Sequence, residues 1–374
     1  MIKYPYGRQW ITEEDIGAVA EALRGEYLTG GGYVSSFEDA FAKAVNVKYA
    51  VAVANGTAAL HIAYMATGLC AGDTVITTPL SFAATANAAL YCNAKPVFVD
   101  IDNTGNINPE LIEAAITNNT RLLAPVHYAG QPADMARIHA IADKHNIFVV
   151  EDACHALGAR YDSGEKVGSC CYSDMTVFSF HPVKHITTGE GGMITTNNKA
   201  LAERLRLLRS HGIVTTENEP WHKDMQLLGY NYRMTDIQAA LGLSQLKRLD
   251  SLLQARIQIA ASYDAMLANS PYFTPLVNRA GANHARHLYP MLLISLDRDK
   301  FMQAAQREGV GLQVHYGLIY KHNYYQKNGY SATFCPLAED IAARIVSLPE
   351  YPQLSEADLG EIVQILARVA ESAC

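Results

Sequence analysis

Between residues 49 and 150, short apolar runs alternate with helical segments. Residues 49–53, 74–78, 96–99, 122–126 and 147–150 read as strands, each short, apolar and bounded by turn formers. The intervening stretches 57–65, 83–90, 109–115 and 135–144 read as helices. Strands joined through helices cannot pair as hairpins. They lie parallel, in an α/β sheet covered by helices on both faces. Ligands on such sheets sit at the carboxyl ends of the strands, so the residues just past each run are the candidate site.

An earlier helix opens at Thr12, a ready N-cap, and closes at Gly25. Gly30, Gly31 and Gly32 read as a flexible loop. Residues 236–268 hold few breakers and predict one long connecting helix. Beyond it, 290–294 reads as a strand and 300–308 as a helix. The 374 residues are too many for one small core, so two domains are expected: 1–250, large, and 251–374, a smaller α+β unit.

A net charge of -7 with no basic run argues against nucleic acid and anionic membrane as partners. The N-terminus, beginning Met1-Ile2-Lys3, lacks the apolar stretch of a signal peptide, and no apolar run is long enough to span a bilayer. Seven cysteines, an odd number that includes Cys374, show no C-x-x-C spacing. Reduced thiols in a cytoplasmic protein are expected, with no structural zinc. The thirteen histidines form no helical ligand pair, so no metal is expected.

Lys184 ends the segment Phe178-Ser179-Phe180-His181-Pro182-Val183-Lys184 and precedes a glycine-rich turn. Many strand-end lysines simply reach water. A desolvated lysine instead shifts toward its free amine, which attacks carbonyls and forms Schiff bases. Its company favours the second reading. Asp152 follows a buried strand and can hold a cationic ring nitrogen, although an acid there can also cap a helix. Asn55-Gly56-Thr57-Ala58 stands where a strand hands over to a helix, and its small residues let a phosphate approach the helix N-terminus. Ser179 can add a hydroxyl to the same phosphate. Phe82 can stack on a flat cofactor or pack in the core. Together these describe a pyridoxal 5'-phosphate (PLP) site.

With these motifs, and with Glu151-Asp152-Ala153-Cys154-His155-Ala156 and Gly229-Tyr230-Asn231-Tyr232-Arg233-Met234, the chain resembles the DegT/DnrJ/EryC1/StrS family of nucleotide-sugar aminotransferases. The resemblance implies the PLP-dependent transferase fold type I, aspartate aminotransferase-like. It implies that Lys184 is the Schiff-base lysine and proton carrier, that Asp152 pairs with the pyridine nitrogen, and that His155 lies near the ring hydroxyl. Phe82 would stack on the ring, while Gly56, Thr57, Ala58 and Ser179 would line the phosphate. Asn231 would reach the phosphate region of a neighbouring subunit in a homodimer. Tyr6, Glu26, Tyr27, Leu28, Thr29, His315 and Tyr316 match positions facing the sugar, where Gly317-Leu318 lacks the family's usual proline. Gln313-Val314-His315-Tyr316 and His287-Leu288-Tyr289-Pro290 point within the family to members acting in pseudaminic acid synthesis. Those members take a UDP-linked 4-keto-6-deoxy-N-acetylhexosamine as acceptor and L-glutamate as donor.

Three other readings stand beside this one. A 4-aminotransferase for the gluco-configured ketone would share every cofactor motif. Some relatives are dehydratases that use pyridoxamine phosphate and carry histidine in place of the lysine, and His185 follows Lys184 directly. A non-catalytic cofactor or sugar binder would need no proton-carrying lysine.

Overall fold

The computed structural model describes residues 2–216 and 219–373, so Met1 and Cys374 lie outside the described residues. The main sheet has seven strands: β1 (Tyr49–Val53), β2 (Thr74–Thr77), β3 (Lys95–Phe98), β4 (Thr120–Ala124), β5 (Phe148–Asp152), β6 (Met175–Ser179) and β7 (Gly192–Thr196). Their order is β1-β7-β6-β5-β4-β2-β3. The pairs from β3 through β6 are parallel, and β7 runs against both of its neighbours. The five strands expected from 49–150 are all present. β7 was not anticipated, because Gly191-Gly192 read as the end of a turn.

Burial on both faces explains the near-continuous apolar runs. Phe178 of β6 packs on one side with Phe37, Phe41 and Phe180, while Val177 packs on the other with Ile62, Val150 and Leu205. Two helical expectations are corrected. Gly32 opens a helix, Gly32–Val45, rather than continuing a loop. The predicted connecting helix is two helices, Asp236–Leu246 and Leu249–Leu267. At the break Arg248 reaches across to Asp15, 2.7 Å away, and to the Trp10 carbonyl at 3.0 Å.

Two strands, β8 (Ile213–Thr216) and β9 (Glu219–Met225), form an antiparallel ribbon. A second sheet joins β10 (Phe273–Pro275), β11 (Tyr289–Leu293) and β12 (Ile345–Leu348), all antiparallel. Its core takes Tyr263 from the long helix and Ile362 and Leu366 from the last helix, Glu356–Ala373. Tyr4 packs in this core too, and the Lys3 and Tyr4 amides donate to the Gly309 carbonyl. The N-terminal residues therefore dock on the C-terminal body. Leu80, Ile101 and Tyr128 pack against Leu288, Leu292 and Tyr320, and this contact joins the two sheets. No helix among the described residues is long and apolar enough to cross a membrane.

Candidate active site

A cavity of about 950 Å³ opens at the carboxyl ends of β2, β5 and β6 and is closed on the far side by the segment that carries His315 and Tyr316. Lys184 lies on the loop between β6 and β7. That loop is braced by the Phe180 amide on the Gly191 carbonyl (2.8 Å), the Thr188 amide on the Phe180 carbonyl (3.0 Å) and the Lys184 amide on the His181 carbonyl (2.9 Å). The side chain is thus presented to the cavity, 3.4 Å from His287 Nε2. Burial pulls the Lys184 amine below its ordinary range, more than Cys154 and Asp152 restore it, and Arg256 adds to the shift. His185 points elsewhere. Its ring donates to the Ala285 carbonyl at 2.9 Å, and burial drops its pKa to about 3.

Asp152 ends β5, where its amide donates to the Pro125 carbonyl at 2.9 Å. Its carboxylate is nearly buried and fixed at both oxygens: Thr85 Oγ1 donates to Oδ2 at 2.6 Å, and the Cys154 amide donates to Oδ1 at 3.1 Å. Neighbouring residues on a strand face opposite sides, so Glu151 points away, into a cluster of its own with His127 and Tyr161.

Asn55 caps the helix Gly56–Ala66 by accepting from the Ala58 amide at 2.8 Å. A side chain at Gly56 would come within 3.1 Å of Ser179 Cβ and 3.3 Å of Cys154 Sγ. Glycine there keeps the helix N-terminus open to the cavity, where a helix favours an anion. Phe82 is 61% exposed and lines the cavity, which rules out the core-packing alternative. Tyr316 shares a hydrogen bond with His155 Nε2 at 3.0 Å, and the His315 ring lies 5.2 Å from that of Tyr6. Burial holds His155 far below the ordinary histidine range, with Lys184 adding to the effect. His315 is pushed to about 3 for the same two reasons.

The structure thus brings together Tyr6, Gly56, Thr57, Ala58, Phe82, Asp152, His155, Ser179, Lys184, His315 and Tyr316. It does not bring five others to that cavity within one chain. Glu26, Tyr27, Leu28 and Thr29 are exposed on the outer surface, where the Asp236 amide donates to the Leu28 carbonyl at 3.0 Å. Asn231 is also exposed, bridged to Ser210. Two residues went unassigned in the sequence. Thr85 lies three positions beyond Phe82, in the first turn of the helix Ala84–Tyr91, and that closeness in sequence is the signal that could have found it. His287 is 103 positions from Lys184, and no local pattern links them.

A mostly parallel sheet with one reversed strand, converging on a desolvated lysine and a pinned aspartate, defines a transferase of fold type I, the aspartate aminotransferase-like class. Within that class the chain belongs to the DegT/DnrJ/EryC1/StrS aminotransferase family, whose model matches residues 9–367. The chain is 43% identical over 328 residues to the UDP-4-amino-4,6-dideoxy-N-acetyl-beta-L-altrosamine transaminase of Campylobacter jejuni, covering 86% of each chain. Among solved structures it resembles Helicobacter pylori PseC, an aminotransferase involved in the biosynthesis of pseudoaminic acid, with a TM-score of 0.94, 34% identity and 99% of each chain covered. A structure from Streptococcus pneumoniae in PLP-form matches with a TM-score of 0.93 at 30% identity, again over 99% of each chain.

Proposed function

We propose that this chain is a PLP-dependent aminotransferase that moves an amino group from L-glutamate to C4 of UDP-2-acetamido-2,6-dideoxy-beta-L-arabino-hex-4-ulose. The product is UDP-4-amino-4,6-dideoxy-N-acetyl-beta-L-altrosamine, a precursor of pseudaminic acid and hence of surface or flagellar glycans. The carrying observation is the Lys184 amine, held toward its uncharged form in the same cavity as the pinned Asp152 carboxylate. The transaminase of Campylobacter jejuni and PseC of Helicobacter pylori support the choice of substrate.

The residues present fit PLP. Asp152 is oriented for a ring nitrogen, Gly56 leaves a helix N-terminus free for a phosphate, and Phe82 is exposed to cover a flat ring. When bound, the coenzyme supplies an electron sink for a carbanion. Asp152 holds the ring nitrogen protonated. Lys184 removes the donor's α proton and, in the second half-reaction, delivers a proton to the sugar-bound carbon. His155, fixed by Tyr316, would be the residue placed to meet the ring's hydroxyl. Two half-reactions on one site give ping-pong kinetics.

Asn231 serves the phosphate region of a neighbouring copy in a cytoplasmic homodimer. A sugar contact from Glu26, Tyr27, Leu28 or Thr29 requires the same assembly, since all four lie outside the single-chain cavity. The chain is divided into 1–250, which carries the seven-stranded sheet, and 251–374, which carries the three-stranded one, with the first few residues docked on the smaller unit. The dehydratase alternative needs a histidine at the reacting position, and the orientation of His185 toward Ala285 speaks against it. Borohydride reduction of coenzyme-loaded protein should leave a covalent adduct on Lys184. Offering both 4-keto UDP-sugars with glutamate, with the product read by NMR, tests the sugar. Exclusive use of the gluco-configured ketone would overturn the altrosamine assignment.

A further inference from the structure

Among the described residues, the one side-chain hydrogen bond of the Lys184 amine is to His287, at 3.4 Å from Nε2. His287 is nearly fully buried. Its ring lies 4.4 Å from that of His155, and its backbone is held at both ends: the amide donates to the Ala129 carbonyl at 2.9 Å, and Arg256 donates to its carbonyl at 3.2 Å. Its other ring nitrogen, Nδ1, is buried without a partner among the described residues.

That orphan selects a tautomer. A neutral imidazole carries one N–H, on Nδ1 or on Nε2. Placing it on Nδ1 would bury an N–H with no acceptor, a rarer arrangement in folded proteins than an unmatched lone pair. Assigning the hydrogen to Nε2, where it faces Lys184, avoids that cost. Burial keeps the ring neutral, with Lys184, His155, His185 and Arg256 all opposing a charge there. Around the lysine, Cys154 and Asp152 favour the ammonium and Arg256 opposes it.

We propose that His287 is a second catalytic residue: its Nε2–H donates to the lone pair of the Lys184 amine and holds that amine ready as a base. The proposal deepens the aminotransferase reading and rests on it. When the substrate C–H bond breaks, its electron pair stays on the substrate side and the proton joins Nζ, consuming the lone pair that His287 had engaged. Two donors then face each other across the same gap. The ammonium is destabilised, and Nζ releases its proton to the next carbon more readily.

The test uses the full chain without coenzyme. Competitive acetylation of Lys184, followed by mass spectrometry across pH, reads the protonation midpoint of the amine directly. Replacement His287→Phe keeps a ring against His155 and removes the donor, so the midpoint should rise by about one pH unit. Replacement His287→Gln restores an N–H near the Nε2 position and should bring the midpoint back. In the loaded enzyme, His287→Phe should lower kcat about 10²-fold with little change in KM. A midpoint in His287→Phe at or below that of the parent, or a His287→Gln variant that follows His287→Phe, would overturn the proposal. Should His287→Phe fail to fold, ¹⁵N-histidine NMR of the parent chain decides. A hydrogen on Nε2 is expected, and one on Nδ1 overturns the proposal. Absence of a borohydride adduct on Lys184 would sink the aminotransferase reading and leave the acetylation midpoint as a separate result.

Discussion

Glu151 and Asp152 are adjacent on β5, yet they serve different regions. Behind the sheet, Glu151 is fully buried and accepts from His127 Nε2 at 2.8 Å, Tyr161 at 2.6 Å, Thr176 at 2.9 Å and Ser173. His127 Nδ1 accepts from the Ala133 amide at 3.1 Å, which leaves the hydrogen on Nε2 for Glu151. Donors and acceptors match throughout this cluster. In front of the sheet, Asp152 has two donors, and its surroundings are unfinished: His155 Nδ1 and His287 Nδ1 are buried without partners among the described residues, and the lysine amine is desolvated. A closed network gives stability and uniqueness. An open one, with perturbed bases around a cavity, marks chemistry.

The largest effect belongs to Lys184→Ala. Turnover should fall by at least about 10⁴-fold, the upper end of what a positioned base supplies, while the chain stays folded. Near-normal rates in a transaminase assay would remove the front of the sheet as the reacting side. Asp152→Asn comes next. The amide still accepts from Thr85 or from the Cys154 amide but cannot keep a ring nitrogen cationic. A loss in kcat of about 10³-fold is expected, with thermal stability little changed. If stability collapsed instead and activity survived, the two carboxylates would have to exchange roles.

Glu151→Gln tests the back of the sheet. An amide places two hydrogens where the carboxylate met only donors. The loss should be about 3 kcal/mol, or on the order of 10²-fold in the folded-to-unfolded ratio, with kcat per folded molecule unchanged. Burial alone would raise the Glu151 pKa, but His127, Ser173 and Tyr161 together hold it below its ordinary value. A depressed carboxyl stabilises the fold above its unfolded pKa, and that contribution is lost as pH falls through the folded value. Denaturant titrations of the parent should therefore show stability falling on acidification below about pH 4.5, and the variant should show a shallower fall there. Equal slopes would mean that another group carries the acid sensitivity.

Legibility in the sequence followed distance. The five strands of 49–150 could be read because each is a continuous apolar run whose signal is local. Lys184 and Asp152 could be read because they end such runs. The helix Gly32–Val45 could not, because its cap is remote: Asp236, 205 positions from Gly31, accepts from the amides of Gly31, Tyr33 and Val34. A glycine triplet with no local cap looks like a loop. The break at 247–248 was hidden for the same reason, since Arg248 is drawn to Asp15 by a contact that no helix propensity encodes. β7 begins at Gly192, where a side chain would come within 2.5 Å of the Asn55 carbonyl oxygen, so the glycine serves close packing rather than a turn.

Thr85 carries the smallest effect and the finest discrimination. It is fully buried, and its hydroxyl donates to Asp152 at 2.6 Å with Ser81 only 3.4 Å away. Valine has nearly the same shape and no donor. Thr85→Val leaves Oδ2 of the carboxylate without its partner, so a nearly buried charge loses a hydrogen bond worth about 1.5–3 kcal/mol. Part of that loss is recovered when a cationic ring nitrogen binds, because the freed oxygen has a positive charge to face. Coenzyme-free protein should therefore lose more stability than loaded protein, and kcat should fall about 10-fold through a misaligned carboxylate. Thr85→Ser should restore both. Equal destabilisation of the loaded and coenzyme-free forms would place Thr85 with the structural network behind the sheet, and the link from Asp152 to the helix Ala84–Tyr91 would then be structural rather than functional support.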